Sequence, residues 1–153
     1  MKLLVILLSF ILFSYNCFSQ SLEGEWKGTF TYAYINPKIP YYTFQTDQTP
    51  IKITFVLNAD SSYSVYSYSS GPSSRGHDTT YVCAVFFKKI SSDSIYLEEM
   101  RIIKPENVPF ICGQKMYLKF ENLKRRLTLE GIWKTNQNTC DDSGEIRLSK
   151  KTQ

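Results

Sequence analysis

The sequence predicts an all-β protein, built as a single eight-stranded antiparallel up-and-down barrel. Three observations lead there. Apolar residues alternate with period two through almost the whole chain after its N-terminal segment. No stretch carries a helical stripe, and β-branched and aromatic residues dominate the alternating runs. Short and long connections alternate along the chain, as they do when a meander sends alternate turns to opposite ends.

The elements follow in order. Met1-Lys2 is a short positive start, and Leu3 to Phe13 is an apolar run broken only by Ser9. That run is short for a membrane span and suits a secretory signal. Cys17-Phe18-Ser19 places small residues at the −3 and −1 positions of a cleavage after Ser19, so residues 1–19 read as signal peptide and 20–153 as the barrel domain. The expected address is secreted or periplasmic. Lipid anchoring at Cys17 is the minor alternative, since Ser14-Tyr15-Asn16 departs from the Leu-x-Gly/Ala-Cys pattern of lipoprotein signals.

Trp26, Gly28, Phe30, Tyr32 and Tyr34 share one face of a first strand, and Ile51, Ile53, Phe55 and Leu57 one face of a second. Tyr63 and Val65 begin a third, whose phase blurs at Tyr66 and Tyr68. Tyr81, Cys83, Val85 and Phe87 mark a fourth; Ile95 and Leu97 open a fifth. Met116, Leu118 and Phe120 form a sixth, Leu127, Leu129 and Trp133 a seventh, Ile146 and Leu148 an eighth. Tight turns are expected at Asn58-Ala59-Asp60-Ser61, Ser91-Ser92-Asp93 and Asn122-Leu123-Lys124. Long loops are expected over 36–49, 70–78, 104–113 and 135–143. One end is thus sealed by turns and the other carries long loops. Such a barrel either fills with side chains or holds one small ligand. An open sandwich is the alternative architecture.

Composition narrows the function classes. A net charge of +4 is too mild to call for nucleic acid. No second apolar run is long enough for a transmembrane span. One histidine excludes two-histidine zinc motifs and leaves no acid–base constellation, so no enzyme, metal or cofactor is expected. Ser73, His77 and Asp78 lie too close together in a breaker-rich loop to form a held triad. Asp141-Asp142-Ser143-Gly144-Glu145 lacks the alternating ligands of a calcium loop and reads as a turn.

Gly24-Glu25-Trp26, opening the first strand, resembles the Gly-x-Trp signature of the lipocalins and related calycin barrels. The resemblance covers three residues of motif and the strand count of the mature chain. It implies that Trp26 plugs the closed end and that a ligand enters at the other. Arg147 and Lys150 are the two candidates for the family's late arginine over that tryptophan. The sequence departs from the family in leaving no room for a C-terminal helix after the eighth strand, and it shows no Thr-Asp-Tyr-like turn. Avidin-like barrels share the strand count and opening, but their biotin-gripping residues have no match here. A second feature is internal: Leu22-Glu23-Gly24-Glu25-Trp26-Lys27 recurs as Leu129-Glu130-Gly131-Ile132-Trp133-Lys134. Both tryptophans read as core anchors, with ligand contact the alternative for Trp133.

Projecting the strands onto the loop end gathers an aromatic mouth. Tyr32 and Tyr34 end the first strand, Tyr66 and Tyr68 the third, and Tyr81 begins the fourth. Arg101, Gln114 and Trp133 complete the set, a composition suited to a small apolar or aromatic ligand. Tyrosines that merely cap the core are the bland alternative. Continuing the phase of Ile95 and Leu97 turns Glu99 and Arg101 inward; a bulge at Glu98-Glu99 turns Met100 and Ile102 inward and leaves both charges outside. The apolar residues favour the bulge.

Lys88, Lys89, Lys124, Arg125, Arg126, Lys150 and Lys151 all fall at the sealed end. They read as a solvated rim, or as a docking face for an anionic envelope surface in a ligand-free accessory module. Loss of Cys17 with the signal leaves Cys83, Cys112 and Cys140. Cys112 and Cys140 both fall at the loop end and are expected to form a disulfide; Cys83, inside a strand, reads as a buried thiol.

Overall fold

Alternating side chains can all be buried on one face only if the sheet has something to close over, and here it closes on itself. The computed structural model describes residues 21–35, 44–72, 78–106, 112–123, 126–135 and 143–151. They form β1 (Gly24–Ile35), β2 (Phe44–Leu57), β3 (Tyr63–Pro72), β4 (Asp78–Lys89), β5 (Ser94–Lys104), β6 (Gln114–Leu123), β7 (Arg126–Thr135) and β8 (Ser143–Lys151). Each strand pairs antiparallel with the next, and β8 returns to β1 from Tyr32↔Gly144 to Lys27↔Ser149. The result is a closed eight-stranded up-and-down barrel, as the sequence predicts.

Several boundaries differ from expectation: β3 runs to Pro72, inside the loop expected over 70–78, and β4, β5, β7 and β8 each take the end residue of an expected loop. β2 begins at Phe44, inside the stretch expected as loop. Residues 44–50 pair with β1, whereas pairing with β3 begins only at Ile51. A ribbon of this kind needs no apolar face, so the polar run Gln45–Thr49 gave no strand signal. Pro50 lies just beyond the β3 ladder, where a missing N–H breaks no bond on that side. β6 likewise runs on to Leu123, through two of the three residues expected as a turn at Asn122-Leu123-Lys124.

The core is continuous from the sealed end upward. Trp26, Phe55, Tyr63, Phe87 and Phe120 form its aromatic floor, with Trp26 edge-on to Phe120 at 5.9 Å between centroids. Ile53, Leu97, Leu118, Leu129 and Leu148 fill the middle. Phe30, Met116, Trp133 and Ile146 lie above, and the Phe30 and Trp133 rings are 5.2 Å apart. The outer wall carries Glu25, Lys27, Lys52, Glu98, Lys115, Lys119, Glu130 and Arg147, several in ion pairs. Apolar inside and charged outside is the reverse of a membrane barrel. No helix among the described residues is long and apolar enough to cross a membrane.

The sealed end shows why Gly24 opens the first strand. Gly24 has φ +106°, a conformation that L side chains rarely adopt, and it swings Leu22 and Glu23 back across the barrel floor. The Trp26 indole N–H then donates to the Leu22 carbonyl at 2.8 Å. Lys150 donates to the Glu23 carbonyl, and its Nζ stands 5.8 Å from the Trp26 ring centroid. Of the two basic candidates, Lys150 therefore covers the tryptophan. Arg147 lies on the outer wall, paired with Glu130 at 2.8 Å.

Candidate functional site

The interior changes chemistry at one level. Below it the core side chains are apolar apart from the Tyr63 phenol, and Thr128, the other buried polar residue among those described, donates to the Glu121 carbonyl at 3.4 Å. At the loop end a polar layer begins: Ser67 on β3, Cys83 on β4, Glu99 on β5 and Gln114 on β6. Ser67 is 1% exposed and Glu99 5%, so these groups belong to the interior and not to a wetted rim.

Glu99 is inside because the bulge falls one step later than its sequence suggests. Val85 pairs with Glu99 but Ala84 pairs with Arg101, so Met100 is the extra residue. The phase set by Ile95 and Leu97 therefore persists through Glu99 and flips afterwards. Ile102, paired with Cys83, follows inward; Met100 and Arg101 are exposed. The expectation that both charges face outward is corrected: Arg101 does, Glu99 does not. The signal missed was local. Leu97 and Ile102 share the interior at odd spacing, which demands one bulge but does not say where.

The carboxyl is held from two sides. Ser67 Oγ donates to Glu99 Oε1 at 2.5 Å, reaching over Cys83, whose small side chain leaves room. The backbone N–H of Gln114 donates to Oε2 at 3.2 Å. That second bond closes a seam: β5 and β6 pair only from Ser94↔Lys119 to Glu98↔Lys115 among the described residues, and Glu99 supplies the next rung with its side chain. Burial raises the Glu99 carboxyl above the ordinary carboxylate range, against the two hydrogen bonds that lower it. Burial, and then the nearby Glu99 charge, push the Cys83 thiol up to about 12. Cys83 is free and buried, as its sequence context predicts, and a thiol so raised is unreactive. The Gln114 side-chain oxygen is buried with no hydrogen-bond partner.

The predicted mouth residues divide. Tyr81 and Gln114 lie in the inward phase at the loop end, and Trp133 is inward and 2% exposed. The Trp133 indole N–H reaches the Thr31 carbonyl at 3.4 Å, lying across Gly144, where a Cβ would come within 3.0 Å of Nε1. Tyr66 and Tyr68 are on the outer wall instead. The β3 phase runs through Val65 and Ser67, and Lys52 Nζ sits 4.0 Å above the Tyr68 ring outside the barrel. A serine at an inward position hid that phase. Arg101 is also outside. Tyr32 and Tyr34 belong to β1, but their side chains lie outside the described residues, as do Ser73 and His77.

Cys112, exposed before β6, is disulfide-bonded. Cys140, the partner expected from the sequence, lies outside the described residues. At the sealed end Lys88, Lys89 and Arg126 are exposed, and Lys150 is committed to the floor. Lys124, Arg125 and the Lys151 side chain lie outside the described residues. No group of three metal-ligating side chains occurs among the described residues.

No family model, curated protein or solved structure matches this chain. Function must be argued from the barrel itself.

Proposed function

We propose that this chain is an exported, lipocalin-like binding protein that takes a small apolar or aromatic ligand at the long-loop end. One observation carries the reading. Beneath the level of Glu99 the core is packed with buried apolar side chains, and at that level the interior presents a buried carboxyl and serine, with Trp133, Tyr81 and Met116 in the inward phase of the neighbouring strands. The ligand is therefore seated in the mouth, on a polar floor, and not deep in the barrel. The signal-like residues 1–19 support export, the Gly24-Glu25-Trp26 opening and the Lys150 cover support the lipocalin likeness, and no catalytic role is assigned. A Cys112–Cys140 disulfide would tether two of the mouth loops and pre-organise them. Native mass spectrometry of the full chain tests the reading. A co-purified small molecule lost on Trp133→Ala supports it; a bare protein that takes up no aromatic probe argues against it.

The filled interior also favours a second reading, an envelope accessory module without a ligand that docks through Lys88, Lys89, Lys124, Arg125 and Arg126. Co-sedimentation with anionic vesicles, abolished by Lys88→Ala/Lys89→Ala/Arg126→Ala, separates the two.

A further inference from the structure

Exposed apolar side chains on a soluble protein are ordinary when they stand singly. On one outer wall of this barrel they gather. Tyr96 on β5 pairs with Tyr117 on β6, and Tyr117 pairs with Ile132 on β7, so the three stand side by side across neighbouring strands. Phe86 on β4 extends the row: its ring centroid is 6.4 Å from that of Tyr96, which is 5.0 Å from that of Tyr117. Phe86 is 48% exposed, Tyr117 41% and Ile132 60%, although all four belong to well-paired strands. Charged groups border the row on both sides. Toward the loop end the Tyr96 hydroxyl donates to Glu98 Oε2 at 2.5 Å, and Lys115 Nζ stands 3.6 Å from Glu98 Oε1. Toward the sealed end lie Lys119 and Glu130, a facing pair on β6 and β7. An apolar, aromatic centre with a charged rim is the anatomy of a protein–protein contact.

We propose that this wall is the contact between two copies of the chain, related by a two-fold axis that runs along the strands between β5 and β6. A two-fold contact must be complementary to itself, and about that axis this wall is. Tyr96 of each copy lies opposite Tyr117 of the other, and Glu98 opposite Lys115, so the rings cover one another and each carboxylate meets a second ammonium. A two-fold axis running across the strands fails the same requirement. It sets Lys115 opposite Lys119 and Lys88 opposite the second copy's Lys88, like charge against like. A face four strands wide and three outward residues long, at spacings of about 4.8 Å and about 6.8 Å, covers roughly 400 Å². That is below the about 800 Å² each partner gives to a standard stable interface, so the dimer is weak and reversible.

Sedimentation velocity of the protein over about 5–500 µM tests this, with dimer expected to prevail toward the upper end, at a Kd on the order of 100 µM. Tyr117→Lys and Ile132→Asp, at exposed positions, should each weaken association about tenfold or more and leave the urea midpoint close to that of the parent. Glu98→Lys and Lys115→Glu should each weaken it about tenfold alone, and an equimolar mixture of the two should associate within about threefold of the parent. Each variant keeps like charges within its own chain, so only a contact between chains restores the mixture. A protein that is monomeric at every concentration overturns the proposal and leaves the wall to a partner of another kind. A dimer indifferent to Tyr117→Lys and Ile132→Asp, or a mixture no tighter than its components, overturns it as well.

Discussion

Replacing Glu99 by glutamine should remove a pH dependence of stability that the buried carboxyl imposes. Burial raises its folded-state pKa above the ordinary value of 4.5. Between the unfolded and folded values the native state therefore holds a proton that the unfolded chain has released. Its contribution is fully present below the unfolded pKa and is lost as pH rises through the folded one. While that window lasts, the slope can approach about 1.4 kcal/mol for each pH unit, the limit for one proton. Glu25, Asp60 and Asp93 act with the opposite sign. Their carboxyls are lowered by Lys52 and Lys27, by Ser62, and by Ser91 and Ser94 respectively, so their contributions are lost only as pH falls into the acid range. Cys83 enters only above its ordinary value of 9.0. Urea unfolding of the parent and Glu99→Gln at intervals from about pH 5 to 8 isolates the term, because every other group cancels in the difference. The parent should lose stability relative to the variant as pH rises. Parallel curves would refute the account of Glu99 as a buried, raised carboxyl.

Other outcomes follow from the packing. Leu129→Ala and Leu97→Ala empty fully buried positions and should each cost about 2–5 kcal/mol in urea unfolding. Gly144→Ala places a Cβ 1.8 Å from the Thr31 carbonyl oxygen, so it should cost about 3 kcal/mol and alter the Trp133 fluorescence. Lys150→Met should cost about 1–2 kcal/mol by losing its carbonyl bonds and its place over Trp26, whereas Arg147→Ala, on a solvent-screened exposed pair, should leave the urea midpoint close to that of the parent. Non-reducing peptide mapping should join Cys112 to Cys140; a Cys83-linked peptide would contradict both the pairing and the buried free thiol.

The strands of the barrel were legible because alternation needs only what periodicity reports; closure was not, since an open sandwich shares the same pattern, and it rests on the pairing of β8 with β1. Trp26, Phe30, Ile53, Leu97, Met116, Leu129 and Leu148 announce their faces unaided, and the alternation of short and long connections orients the ends. Legibility failed where a polar residue occupies an inward position. Ser67 broke the apparent phase of β3 and sent Tyr66 and Tyr68 to the wrong side. Glu99 looked like a surface charge because nothing local says that a bulge waits until Met100. The start of β2 was hidden for a related reason: a ribbon with one neighbour obeys backbone pairing, not burial. The candidate site is made mostly of such exceptions, so its aromatic half was visible in the sequence and its buried carboxyl was not.

The join between β1 and β8 has a kinetic side. Its rungs, from Lys27↔Ser149 to Tyr32↔Gly144, connect nearly opposite ends of the folded chain. Each hairpin of the meander can form locally, but the ring gains its last wall only when those distant segments meet. The entropy of closing so large a loop is spent before Trp133 can dock on the Thr31 carbonyl, a bond spanning 102 positions. All-β chains with such non-local contacts fold on the order of milliseconds to seconds, slower than helical chains of equal length. Until the join forms, β1 and β8 each offer a free edge and an uncovered apolar face to any neighbouring chain. The half-made ring, not the finished barrel, is where this protein is most exposed to aggregation.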